Sequence, residues 1–131
     1  MLSLYYNRLQ FSIVEDINDF FRAGLPEITK VKAIFDQAKI LFHLPSDCIE
    51  LYVSQGDRVY KINLLTPGAN KYPFGNIVYC PFNKQLDIYS AENGYPVAQW
   101  EDKKLKYTGY SLLFQRAEVD KIFSKIVNAA F

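Results

Sequence analysis

The apolar spacing of this chain changes period at Pro45, and that change limits the folds open to it. Before Pro45, Ile28, Val31, Phe35, Ala38 and Phe42 recur at intervals of 3, 4, 3 and 4 residues, and Ile34 and Leu41 widen the stripe. This is the repeat of one helix face, so it predicts a helix from about Pro26 to about Phe42 docked on a sheet. Pro26 suits a first helical turn, where its missing N–H is not needed. Pro45 stops the helix near His43, because the residue before a proline avoids the helical region. After Cys48 the period falls to two. Ile49, Leu51 and Val53 share one face and Glu50 and Tyr52 the other, and in "RVYKINLL" Tyr60, Ile62 and Leu64 share a face again.

Residues 46–54 admit two readings. Ser46 or Asp47 can cap a short helix after Leu44-Pro45, or "CIELYV" can open a hairpin that turns at "SQGD". The alternation and the glycine-containing turn favour the hairpin. Further on, "NIVYCPF", "QLDIYSA", "PVAQW" and "LKYTGYSLLF" read as strands, with "ENGY" and "EDKK" as turns and Gly109 as a bulge. "LSLYY" alternates weakly, as a short first strand would. "SIVE" at Ser12–Glu15 has capping-box spacing, with Ile13, Ile17, Phe20 and Phe21 following at helical intervals and Gly24 as the stop. At the end, Val119, Ile122, Phe123, Ile126, Val127 and Ala130 form one apolar face against Asp120, Lys121, Ser124, Lys125 and Asn128. The expected fold is α+β: two N-terminal helices, an antiparallel β-meander of about five to six strands and a C-terminal amphipathic helix, in a single globular domain over 1–131.

Composition narrows the function. The 10 Tyr, 10 Phe and 1 Trp favour a substantial sheet, and most of these rings belong in the core or across a sheet face. A net charge of +1 supplies no bulk field for nucleic acid or an anionic membrane. "MLSLYYNRLQF" lacks a basic start and a long apolar run, so no signal peptide is expected, and no apolar stretch approaches the roughly 20 residues that span a bilayer. The expected location is cytoplasmic. Two cysteines, Cys48 and Cys80, are too few for a disulfide scaffold, and a reducing compartment argues against their pairing.

No phosphate-cradling glycine loop, dinucleotide fingerprint or paired-histidine zinc motif is present. His43 is the only histidine, so a metal set is not expected, and a helix-end position explains it better than ligation. Cys80 is the thiol to weigh, but no helix dipole or adjacent base is evident, and a buried structural role is expected. Asp47, Glu50 and Asp57 cluster in sequence near a turn, where carboxylates are usually solvated. Lys103, Lys104 and Lys106 beside Tyr107 and Tyr110 have a composition that suits single-stranded nucleic acid, yet Glu101 and Asp102 dilute it and a charged turn guarding a sheet edge is simpler. No catalytic residues, cofactor or metal are therefore expected.

Leu44-Pro45, Asp47, Gly56, Pro96-Val97 and Trp100 occur in an order that resembles the SMI1/KNR4 superfamily, over the last two-thirds of the chain. That resemblance implies a helix opened by the Leu-Pro pair, no catalytic set, and a bacterial immunity protein that neutralises a toxin by binding it. The expectation is a non-catalytic protein-binding module with Trp100, Tyr95 and Tyr52 as aromatic anchors and Asp47, Glu50 and Asp57 as an acidic fringe toward a toxin or host protein. The alternatives are a viral or mobile-element inhibitor of a host machine, a small-molecule binder or thiol enzyme using Cys80 and His43, and, least favoured, nucleic-acid binding.

Overall fold

The computed structural model of the chain describes residues 9–23, 26–54, 56, 58–91, 96–101, 103–107 and 116–131. Among the described residues, seven strands form one antiparallel sheet in strictly sequential order: β1 (Phe11–Ile13), β2 (Ile49–Ser54), β3 (Val59–Leu65), β4 (Pro73–Cys80), β5 (Gln85–Ser90), β6 (Pro96–Glu101) and β7 (Lys104–Tyr107). The last six make the meander, and the three-residue β1 extends it beyond β2. Helices α1 (Ile17–Phe21), α2 (Pro26–Leu41) and α3 (Arg116–Ala130) complete the α+β fold.

The predicted helix over Pro26–Phe42 is α2, and its stripe is the buried one: Ile28, Val31, Ile34, Phe35 and Ala38 are all in the core. Its C-terminus closes as the sequence requires. His43 takes the left-handed conformation, with φ 55. Its N–H donates to Ile40 O at 3.2 Å, and Leu44 N–H donates to Lys39 O at 2.9 Å. This is a Schellman cap, and the next residue, Leu44, drops into the core as such caps favour.

Residues 46–54 turn out to hold both of the structures they suggested. Pro45 leads into a single 3₁₀ turn, Ser46–Cys48, closed by Cys48 N–H donating to Pro45 O at 2.9 Å. The chain then extends at once into β2, which pairs with β3 from Ile49↔Leu64 to Ser54↔Val59. The β-branched and aromatic residues after Cys48 explain why one turn does not propagate. Ile49 and Leu51 point into the core with Tyr60, Ile62 and Leu64, as their alternation predicted.

The capping box read at Ser12–Glu15 is not formed. Ser12 lies in β1 opposite Val53, and Ile13 lies opposite Tyr52, half exposed on the sheet edge. The cap is Asp16, whose carboxylate accepts the Asp19 N–H at 3.0 Å. The open edge of β2 offered backbone partners to Phe11–Ile13, and those bonds outweigh a local side-chain cap. The "LSLYY" strand, the Gly24 stop, the "ENGY" turn and the Gly109 bulge lie outside the described residues.

The sheet has two unlike faces. On one, α2 and α3 pack over Leu51, Tyr60, Ile62, Leu64, Ile77, Tyr79, Leu86 and Ile88, with Phe123, Ile126 and Ala130 contributed by α3. A run of ring contacts threads this layer: Phe35–Phe21 at 5.5 Å, Phe21–Phe20 at 5.9 Å, Phe20–Tyr60 and Tyr60–Tyr79 at 6.4 Å, Tyr79–Phe131 at 5.9 Å and Phe131–Trp100 at 6.0 Å. Much of the aromatic excess is therefore structural, in tilted and edge-to-face pairs. The other face carries a smaller cluster of Val59, Val78, Cys80 and Tyr89 with Leu9 and Phe11 against it.

Candidate functional site

Two turns of the meander, one helix and the C-terminal residue converge at one end of the sheet. The β4–β5 connection is a four-residue turn between Cys80 and Gln85, in which Lys84 N–H donates to Pro81 O at 3.2 Å and Lys84 has φ 53. The β6–β7 connection is a two-residue turn between Glu101 and Lys104, with Lys103 at φ 62. Such short turns require left-handed backbone, and these two place it on lysines. The N-terminal part of α2 brings Lys30 to the same end, and the residue after α3, Phe131, brings its ring. Together Lys30, Asn83, Lys84, Trp100, Glu101, Lys103 and Phe131 line a cleft of about 500 Å³.

The floor of this cleft is aromatic and its rim is cationic. Trp100 is partly buried against the core, 6.0 Å from the Phe131 ring, and Phe131 is still 44% exposed. Lys30, Lys84 and Lys103 are exposed. Next to Asn83 on the β4–β5 turn, Phe82 is 89% exposed. A large ring left in water at a tight turn is not needed by the core, and exposed apolar rings that cluster mark contact surfaces.

Of the residues singled out from the sequence, the anchor Trp100 belongs to this cleft, as do Glu101 and Lys103 of the charged turn. Glu50 and Tyr52 lie elsewhere. They sit together on the face away from the helices, where the Tyr52 hydroxyl donates to Glu50 Oε1 at 3.2 Å and Asn63 Nδ2 donates to the same oxygen at 3.3 Å. Partial burial and the Glu50 carboxylate push the Tyr52 hydroxyl above its ordinary value. The Lys61 ammonium lies over the rings of Phe11 and Tyr52, at 4.6 and 5.0 Å, and burial pulls its pKa down. Trp100 is in register with Leu86, Tyr79, Tyr60 and Val53, four strand spacings or about 19 Å from β2, and on the opposite face of the sheet. One flat partner surface does not span both. Asp47 is on the 3₁₀ turn, exposed, with Lys71 Nζ 3.0 Å from its carboxylate, and that ammonium holds its pKa below the usual range. Asp57 and Tyr95 lie outside the described residues.

The two thiols and the histidine do not assemble. Cys80 is buried on the face away from the helices, Cys48 is buried on the helix side, and neither is in a disulfide. Burial and the neighbouring Asp47 carboxylate push the Cys48 thiol up, away from reactivity. His43 is spent on the exposed C-cap of α2. Among the described residues no group of three or more His, Cys, Asp or Glu converges as a metal set, and no helix is long and apolar enough to cross a membrane.

One buried polar group had no signal in the sequence. Asp87 is 1% exposed in the middle of β5, on the face away from the helices. Its Oδ2 accepts from the Tyr89 hydroxyl at 3.1 Å and its Oδ1 has no hydrogen-bond partner, nor has Oε1 of the buried Gln85 two residues before it. Burial raises its pKa to about 6 despite hydrogen bonds from Tyr89 and Gln99. The alternation of β5 puts Gln85, Asp87 and Tyr89 opposite Leu86 and Ile88, which is the pattern of a solvated face, yet all six residues of the strand are buried.

No family model, curated protein or solved structure matches this chain.

Proposed function

We propose that this chain is a non-catalytic protein-binding module of the immunity or inhibitor kind, acting by covering a toxin or host protein. The observation that carries the reading is Phe82, 89% exposed on the β4–β5 turn, whose Asn83 and Lys84 line the cleft with Trp100 and Phe131. A protruding ring on a turn that flanks a tryptophan-floored cleft has the character of the aromatic anchors that supply most of the affinity in protein interfaces. The order of Leu44-Pro45, Asp47, Gly56, Pro96-Val97 and Trp100, which resembles the SMI1/KNR4 superfamily, supports the same class.

The test is co-expression with the product of the adjacent gene. The expected result is a neighbouring product that is toxic alone, is neutralised by this chain and co-purifies with it. A neighbour that is harmless alone and never co-purifies contradicts the immunity role. The Phe82→Ala variant should fold normally and weaken the complex at least about tenfold, as loss of an interface anchor does.

A further inference from the structure

We infer that the cleft at the end of the sheet docks an acidic segment of the partner protein, with an apolar partner side chain on the Trp100–Phe131 floor and its carboxylates against Lys30, Lys84 and Lys103. This rests on the protein-binding reading above and names the chemistry of the partner.

Charge is the first support. Three lysines and one carboxylate, Glu101, line the cleft of a chain whose net charge is only +1. The positive excess is therefore local, and it is assembled from α2, the β4–β5 turn and the β6–β7 turn. None of the three lysines is in an ion pair with a described residue, whereas Arg22, Lys32, Arg58 and Lys71 each have one. Three amines gathered around a single carboxylate leave an excess of positive charge, and a further anion relieves their mutual repulsion.

The second support is the floor. Exposed ion pairs contribute little by themselves, so lysines alone would hold a partner weakly. The half-buried Trp100 and Phe131, with Phe82 on the next turn, supply apolar area where the carboxylates would be held. At about 500 Å³ the cleft has the size of a pocket that takes a compact group. Single-strand binders instead track several nucleotides along an extended basic groove. Here the cations do not continue as a groove. Lys104 and Lys106, the next cations along β7, stand opposite Glu101 and Gln99, on the sheet face away from Trp100. A carboxylate-bearing peptide with one aromatic residue fits this geometry better than a nucleic-acid strand.

The chain has a single tryptophan, so its fluorescence reports on this cleft. The probe is the capped peptide Asp-Glu-Phe-Asp-Glu, with Asn-Gln-Phe-Asn-Gln as the uncharged control and hexathymidylate as the nucleic-acid control. The acidic peptide should change Trp100 emission saturably, with an affinity that falls as salt is raised. The uncharged peptide and hexathymidylate should bind at least about tenfold more weakly, and the K30Q/K84Q/K103Q variant should lose the acidic peptide by at least about tenfold while melting like the wild type. Equal binding of the two peptides, an unaffected triple variant, or tighter binding of hexathymidylate would each overturn the proposal. If the co-expressed partner binds the triple variant as tightly as the wild type, this site is wrong and the protein-binding module stands. If no partner exists, the module reading itself falls.

Discussion

Replacing Asp87 by asparagine removes the one buried carboxyl of β5 while keeping its shape. In the native chain burial holds this group at about 6, against an ordinary value of 3.8. The row of side chains around it explains why no cation opposes the shift. Reading across the sheet, Tyr52, Lys61, Val78, Asp87, Gln99 and Lys106 are in register on one face. The nearest cations of that row are two strands away on either side, about 10 Å. Glu101, nearer by, adds repulsion. The native state thus binds this proton more tightly than the unfolded chain does. Stability that is fully present below about pH 4 is therefore lost as pH rises through about 6. A shift of about two units corresponds to about 3 kcal/mol. Other carboxylates add their own slopes, among them Asp47 and Asp16, whose values are lowered, so the informative quantity is the difference between wild type and variant. Urea unfolding at several pH values from 4 to 8 should show Asp87→Asn gaining on the wild type by about 3 kcal/mol as pH rises, with most of the gain complete by about pH 7. A difference that stays constant within about 0.5 kcal/mol across that range would mean that Asp87 titrates as an ordinary surface carboxyl, and the burial argument would be refuted.

Three further outcomes follow from the packing. Phe123 is fully buried where α3 meets the sheet, so Phe123→Ala should cost about 3–5 kcal/mol in chemical denaturation. His43→Gly should raise stability by about 1 kcal/mol, read as a higher melting temperature, because glycine takes the left-handed cap without a Cβ clash and the imidazole makes no contact the core depends on. Both thiols should resist a thiol reagent at neutral pH and react promptly in denaturant, since each is buried and burial raises the Cys48 thiol.

Local pattern carried the fold where one face of an element is buried and the other is wet. The spacing of Ile28 to Phe42 gave α2 within a residue of its end. The alternation in β2 and β3 assigned Ile49, Leu51, Tyr60, Ile62 and Leu64 to the core correctly. Two kinds of feature escaped it. Ser12 and Glu15 satisfy a capping box on paper, but the edge of β2, about 40 residues away in sequence, claims that backbone instead. Asp87 reads as an outward residue because nothing within β5 says that both faces are covered. The site divides the same way. Trp100 was singled out from the sequence as an anchor, and Lys103 and Glu101 only as parts of a charged turn. Lys30, Lys84, Lys103 and Phe131 come from four separate elements and only the fold brings them to one cleft. Of the acidic residues close in sequence, Glu50 accepts from Tyr52 and Asn63, and Asp47 pairs with Lys71. Phe82, expected at the end of the strand "NIVYCPF", stands instead on the turn that follows Cys80.

We propose that the partner binds at the end of the sheet that carries Phe82 and the cleft. Amide hydrogen exchange of the chain, alone and in complex with the partner recovered by co-expression, tests it most directly. Slowed exchange at residues 82–84, 101 and 103–104 on binding, with Glu50–Tyr52 unchanged, is the result predicted. Protection confined to β1, β2 and the face around Glu50 and Tyr52, with those two turns unchanged, would contradict it.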